Sequence, residues 1–314
     1  MRRQLSVQPA HIGIVQCVAL SHDQQYFISG SADTSIIVWN SLDGSAVFPP
    51  LQGHKAEIVA LDISRDDKIL ISASKDGEIH FWDLATGQID GTPLKHSEEI
   101  ASVKLSPDGL TLASITKTNE LILWGVADRA ILLGPFAYPG RDCKAIAFSD
   151  DGARIATLCG SISGQPMDYL VGLGIILRET GGGNIVLECN IDDEVEGATV
   201  YWPKLEFAVE DKYLVIRYAL GEAITSRTFD ATTGEEYNQG LGSPELTKIN
   251  RLAAIDSRII RNGQTILHFP PDLDHMGTIT TWESTDNMII AGTMSGDVYL
   301  VSCKKNQGAT LAQG

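Results

Sequence analysis

The feature that most constrains this chain is that it repeats itself. A histidine, a serine, an aspartate and a tryptophan recur in one order: His11, Ser29, Asp33 and Trp39, then His54, Ser72, Asp76 and Trp82. A third copy has His96, Ser114 and Trp124, with Thr118 in the aspartate place. In each copy the histidine precedes the tryptophan by 28 residues, and successive tryptophans stand 43 and 42 apart. A fixed period of this size marks a supersecondary unit that needs neighbours to bury its faces.

Within the second copy, residues 58–63, 69–73 and 78–82 alternate apolar and polar side chains. The turn signals Arg65-Asp66-Asp67-Lys68 and Lys75-Asp76-Gly77 separate them. Period-2 alternation broken by Asp/Gly turns predicts strand, turn, strand, turn, strand. The period then loosens. A fourth unit runs through 144–149, 154–158 and 174–178, with an inserted stretch at 161–172 and Arg178 in the tryptophan place. A fifth falls at 205–209, 213–218 and 223–230, ending on Phe229-Asp230. A sixth takes 252–255, 258–261 and 264–269, where Asn262-Gly263 reads as a hairpin turn. A seventh opens at His275 and continues through 279–282, 288–291 and 297–301. Leu5-Ser6-Val7 alternates as well, and is expected to supply the outer strand of the last unit. Residues 304–314 are polar and expected to fray.

Gly53-His54 and Trp82-Asp83, at their separation, resemble the signatures of one WD repeat of a β-propeller. The resemblance implies an all-β fold, a seven-bladed WD-repeat β-propeller in residues 1–303. Blades would lie near 11–46, 54–90, 96–134, 143–189, 205–240, 246–270 and 275–303, with strand 4–8 closing the ring. It also implies a buried hydrogen-bond chain from Trp82 to Ser72, His54 and Asp76. Trp39, Ser29, His11 and Asp33 would do the same, and Trp124, Ser114 and His96 would form a weaker set. Buried polar groups must find partners, so this reading stands on physics too. A Ser-His-Asp set also suggests nucleophilic catalysis, but a repeated set ending on tryptophan has no use in a hydrolase. No catalytic constellation is found.

WD-repeat propellers bind partners mostly on the narrow top face. Mapped here, that face holds Lys55, Glu57 and Lys75 in the second blade and Ser97, Glu98, Glu99 and Lys117 in the third. Ile12, Ile14 and Ala32 take these places in the first blade, and Met276 and Met294 in the seventh. Ile12, Ile14, Met276 and Met294 are expected to form an apolar patch beside a charged sector. Trp202, read as part of an irregular stretch at 190–204, is either a binding anchor or a cover for a blade edge. The linkers at 48–54 and 90–96 share a Pro-Leu pattern, and 84–88 and 230–235 share a Thr-Gly turn. These resemble the C-terminal repeat arrays of fungal NACHT-type NTPase sensors, best over 47–110, though no Walker sequence occurs.

Composition narrows the partner. The chain has 40 acidic and 24 basic residues, a net charge of −16, which argues against nucleic acid or an anionic membrane. The longest apolar run, 169–177, falls short of the ~20 residues of a membrane span. Arg2-Arg3 is followed by no apolar stretch, so no secretory signal is expected. Cys17, Cys143, Cys159, Cys189 and Cys303 show no paired spacing. They are expected to be free thiols in a reducing compartment, the cytoplasm first and the nucleus second. No cofactor or metal is expected, since His22, His80 and His268 lack ligand spacing; His80 reads as an ordinary strand side chain.

The expected function is therefore a non-catalytic scaffold that binds a protein or peptide on its top face, in a sensor or signalling protein. A small-molecule or enzymatic propeller using the central channel is the first alternative. Val59, Ala60, Ala101, Ser102 and Ala145 on the innermost strands are small and neutral, which speaks against it. A structural subunit of a permanent complex, with a side surface near 169–173, is the other.

Overall fold

The computed structural model describes residues 2–7, 11–139, 141–162, 170–191, 200–208, 210–220, 223–237, 252–255, 258–261, 264–268, 279–284 and 288–303. Among them every regular element is a strand, and no helix is long and apolar enough to cross a membrane. β1 is Arg2–Val7. The first sheet holds β2 (Val15–Leu20), β3 (Tyr26–Ser31) and β4 (Ile36–Asn40). The second holds β5 (Ile58–Ile63), β6 (Ile69–Ser74), β7 (Glu78–Asp83), β8 (Gln88–Ile89) and β9 (Leu94–Lys95). The third holds β10 (Ile100–Leu105), β11 (Thr111–Thr116), β12 (Glu120–Gly125) and β13 (Ile131–Ala137). The fourth holds β14 (Arg141–Phe148), β15 (Arg154–Ile162), β16 (Leu170–Glu179) and β17 (Ile185–Asn190). The fifth holds β18 (Val200–Ala208), β19 (Tyr213–Leu220) and β20 (Ala223–Asp230), and the sixth β21 (Leu252–Ile255), β22 (Arg258–Arg261) and β23 (Gln264–His268). β24 (Ile279–Ser284), β25 (Met288–Thr293) and β26 (Val298–Cys303) form the seventh.

Neighbouring strands in the described sheets pair antiparallel, as tight turns between consecutive strands require, though in the second sheet β8 and β9 both pair with β7. β1 departs from chain order. It pairs antiparallel with β26, with Arg2 opposite Cys303 and Val7 opposite Val298. The first strand of several sheets carries the same irregularity near its start. Register shifts fall at Val15/Cys17, Ile58/Ala60, Ile100/Ser102, Cys143/Ala145 and Ile279/Thr281. A bulge at a matching place in these five sheets adds local twist where the strands crowd together.

The apolar core is divided into layers between sheets. Ile28 and Val38 of the first sheet meet Ile58, Leu70 and Trp82 of the second. Ile71 and Phe81 meet Ile100 and Leu112 of the third. Ile115 and Leu123 meet Phe148 and Ile155 of the fourth, and Leu158 and Ile175 meet Leu214 and Phe229 of the fifth. Val15, Phe27 and Trp39 meet Ile290 and Leu300 of the seventh. β2 therefore lies against both β5 and β24.

Three expectations are corrected. The two ends of the inserted stretch in the fourth unit are strand: β15 runs to Ile162 and pairs there with Leu170 of β16, while 163–169 lie outside the described residues. Trp202 lies within β18, in a register shift between Tyr201 and Lys204, and not in an irregular insertion. Cys143 and Cys159, expected to be free, are disulfide-bonded. They sit directly opposite each other on β14 and β15. A sequence separation of 16 hides this, because strand register, not spacing, sets the contact. Cys17 is a free buried thiol and Cys189 a free, half-buried one; burial pushes both upward in pKa.

Candidate functional site

Three hydrogen-bond chains organise the ends of the first three sheets. In the second, Trp82 Nε1 donates to Ser72 Oγ at 2.8 Å. His54 Nε2 meets the same hydroxyl at 2.8 Å, and its Nδ1 lies 3.1 Å from Asp76. In the first, Trp39 donates to Ser29 at 2.9 Å, His11 Nε2 meets it at 2.8 Å, and His11 Nδ1 reaches Ser35 at 2.9 Å and Asp33 at 3.3 Å. In the third, Trp124 and His96 both meet Ser114, at 2.8 and 2.9 Å. Thr118 bonds Thr116 instead of the histidine.

Electrostatics follow the partners. Burial lowers the pKa of His54, its neighbour His80 lowers it further, and Asp76 offsets part of this. Burial also lowers His11 against the pull of Asp33. His96, with no carboxylate, is pushed down to about 4 by burial alone. Burial would raise Asp76, but backbone donors at Lys55 and Glu78 outweigh it and hold the carboxyl below its ordinary range.

The same carboxylates fix the rim. Asp33 accepts from Ile12 N at 2.9 Å, and Asp76 accepts from Lys55 N at 2.8 Å. Residues carried on the rim are thus held by the chains beneath them. Ile12 is 98% exposed and Met294 52%. The seventh-sheet turn that carries Met294 abuts the first sheet, with His11 N donating to Gly296 O at 3.1 Å. Ile14 is half-buried, and Met276 lies outside the described residues. Lys75 and Glu57 are not a free charged pair: they bond each other at 2.7 Å, and Gln16 reaches Glu57 at 3.1 Å. Lys55, Glu98, Glu99 and Lys117 are exposed, with Lys117 N held on Glu99 O at 2.7 Å. Nothing is described of the Trp202 side chain.

The inner strands line an open cavity of about 780 Å³. Its lining corrects the expectation of small neutral groups. Asp62, Lys104, Lys144, Lys204, Glu206 and Glu283 all reach it, from five different sheets. They are largely matched: Lys104 with Asp62 at 2.7 Å, Lys144 with Asp142 at 2.6 Å, and Lys204 with Glu283 at 2.9 Å. Small residues at 59–60 and 101–102 drew attention from the charged ones further along the same strands. Among the described residues no group of three or more His, Cys, Asp or Glu is placed to hold a metal.

One polar residue was underrated by the sequence. His80 is buried, packs tilted against His54 with ring centres 4.0 Å apart, and bonds Glu78 at 3.0 Å. The available signal is register: His80 stands opposite Ser72, where the first and third sheets place Ile37 and Ile122 opposite Ser29 and Ser114.

Comparison with known proteins agrees with this geometry. Residues 2–40 and 47–83 match the family described as WD domain, G-beta repeat. Protein HIRA of Oryza sativa subsp. japonica is 33% identical over 102 residues, covering 27% of this chain and 10% of that protein. A probable cytosolic iron-sulfur protein assembly protein, a CIAO1 homolog of Caenorhabditis elegans, is 32% identical over 24% of this chain and 23% of its own. Small ribosomal subunit protein RACK1y of Oryza sativa subsp. japonica is 34% identical over 28% of this chain and 27% of its own. The matches thus span from a tenth to about a quarter of those relatives. The β-propeller domain of Myceliophteria thermophila Cps50 (Swd1) superimposes with a TM-score of 0.67, covering 96% of this chain and 100% of that one at 14% identity. The chain has the fold of a β-propeller, and its residues 2–40 and 47–83 are similar to WD repeats.

Proposed function

We propose that the chain is a non-catalytic recognition scaffold, a seven-bladed ring closed by β1, which binds a protein or peptide on its top rim. The observation that carries this is Ile12, 98% exposed, on the turn next to Met294. Its backbone is tied on one side by His11 N to Gly296 O and Ile12 N to Asp33, and on the other by Ala32 N to Ile14 O. A large aliphatic group held rigidly in water is a preorganised contact, because little conformational freedom is lost on binding. Lys55, Glu98, Glu99 and Lys117 would form the polar edge of the contact. The pairing of β1 with β26 and the packing of β2 on both β5 and β24 support the closed ring. Two relatives bear names tied to assemblies, the small ribosomal subunit and iron-sulfur protein assembly. The net charge of −16 disfavours nucleic-acid phosphates.

An intracellular setting, inside a larger signalling protein, completes the proposal. The Cys143–Cys159 bond speaks against a reducing compartment, and alkylation of protein taken from its source cells decides that point. The binding test is affinity capture from source-cell lysate with the native chain and with an Ile12→Glu, Met294→Glu variant. A polypeptide kept by the first and lost by the second supports the rim. Equal retention by both overturns it.

The charged cavity favours a second reading, a small-ligand site in the channel. Native mass spectrometry of purified protein would then show a retained small molecule that Lys104→Ala releases.

A further inference from the structure

The outer edges of the sheets are not alike. An exposed edge strand offers unpaired N–H and C=O groups to any extended chain, and folded proteins guard such edges with proline, basic charge or breaks. In the first sheet the outer position holds two isolated bridges, at Ala46 and Leu51, with Pro49-Pro50 between them. In the second it is split into the two-residue strands β8 and β9, with Pro93 between. β13 carries Pro135, and β1 carries Arg2 and Arg3. β17, outermost in the fourth sheet, has no proline, lysine or arginine. Its register shift falls at its start, and from Leu187 to Asn190 it pairs regularly with β16.

This edge is apolar and held in place. Ile185 is 50% exposed and Val186 46%. Leu187 and Cys189 pack on the core between the fourth and fifth sheets. In the preceding turn Gly183 N bonds Glu179 O, and Gly183 O accepts from Arg178 Nη1, both at 2.9 Å. At the far end Ile191 N bonds Leu173 O at 2.7 Å. Strand alternation from that bond turns the N–H and C=O of Asn190 and Glu188 away from β16. Among the described residues no strand pairs with that outer side.

The charges beside the edge select the occupant. Glu188, with 42% of its side chain exposed, meets Arg141. Glu179 in the turn is exposed, and so is Glu235. Glu235 follows Gly234, where an added Cβ would lie 3.0 Å from Leu187. A second copy of this chain would set Glu188 against Glu188 and one net charge of −16 against another. A strand with apolar and basic side chains meets no such opposition. We propose that the outer edge of β17 docks an extended, apolar and basic segment of a partner protein, which adds to the fourth sheet as a fifth strand. Main-chain bonds to Glu188 and Asn190 supply affinity, and the side chains beside them supply selection. The edge belongs to another sheet than Ile12, and the inference does not rest on the rim.

Hydrogen exchange on the full chain, with and without the synthetic peptide acetyl-Thr-Val-Arg-Val-Ile-Lys-amide, tests this. Paired antiparallel, the peptide sets its Arg across from Glu188 and its Lys across from Ile185. The amides of Glu188 and Asn190 are expected to gain protection that saturates with peptide. Exchanging the peptide's Arg for Glu weakens binding about tenfold. Glu188→Pro removes an outward N–H without taking a bond from β16, and abolishes the effect. Were that variant not to fold, Val186→Lys, at an exposed position, lowers affinity about tenfold instead. No protection at the highest soluble peptide concentration overturns the proposal, as does protection that both variants leave unaltered. A dimer that shields the same amides without peptide overturns it too, and gives the edge to a second copy.

Discussion

At the scale of single residues, Asp76 joins the buried chain to the surface. It accepts from His54, from Lys55 N at 2.8 Å and from Glu78 N at 2.9 Å. Asp76→Ala leaves these donors without their acceptor and is expected to cost about 2–4 kcal/mol in chemical denaturation. The reverse change is available in the third sheet, where Thr118 takes the aspartate place. Thr118→Asp gives His96 Nδ1 an acceptor and is expected to add about 1 kcal/mol. A neutral or destabilising result would show that the fixed turn geometry, not the residue, sets the partner. These sets were legible in sequence through the resemblance to WD repeats, which the constant spacing of His, Ser, Asp and Trp carries. The His54–His80 contact was not, since it depends on which side chain stands across the ladder from Ser72. Cys143 and Cys159 were missed for the same reason.

Between elements, aspartates tie one sheet to the next. Asp67 accepts from His22 N and Asp23 N of the first sheet's turn, at 2.8 and 2.9 Å. Asp211 does the same for Asp150 N and Asp151 N, at 2.8 and 3.4 Å. Both adopt left-handed backbone, with φ of 57° and 62°, which aspartate tolerates better than most residues. Asp211→Ala loses the acceptor and strains that backbone, and is expected to cost about 2–3 kcal/mol in a denaturant titration. A cost below about 0.5 kcal/mol would mean that the fourth and fifth sheets are held by apolar packing alone. The turns were readable from Asp-Asp pairs in the sequence. Their bridging role was not, because it joins residues 44 to 61 apart. The three strands of the second unit were readable to within a residue, since their alternation is strict. β15 and β16 were underestimated because Gly and Ser within 160–174 hide strand continuity.

For the whole molecule, pH acts through the buried histidines. His11, His54 and His96 bind protons less readily folded than unfolded. Stability is therefore fully present above about pH 6.5 and falls as pH drops toward 4, the value reached by His96. Asp66 and Glu78, both held down to about 2, extend the loss through pH 4 to 2. A melting temperature at pH 5 equal to that at pH 7.5 would contradict this. The rim at Ile12 and Met294 exists only where the first and seventh sheets meet, so the closed ring is the central claim. β1 forms a six-residue ladder with β26, which in the proposed ring would supply that closure. Removing residues 1–9 and measuring the melting temperature tests it most directly. The account predicts a fall of about 10 °C or more, as the loss of several kcal/mol implies for a chain of this size. An unchanged melting temperature would contradict the closed ring, and with it the proposed rim.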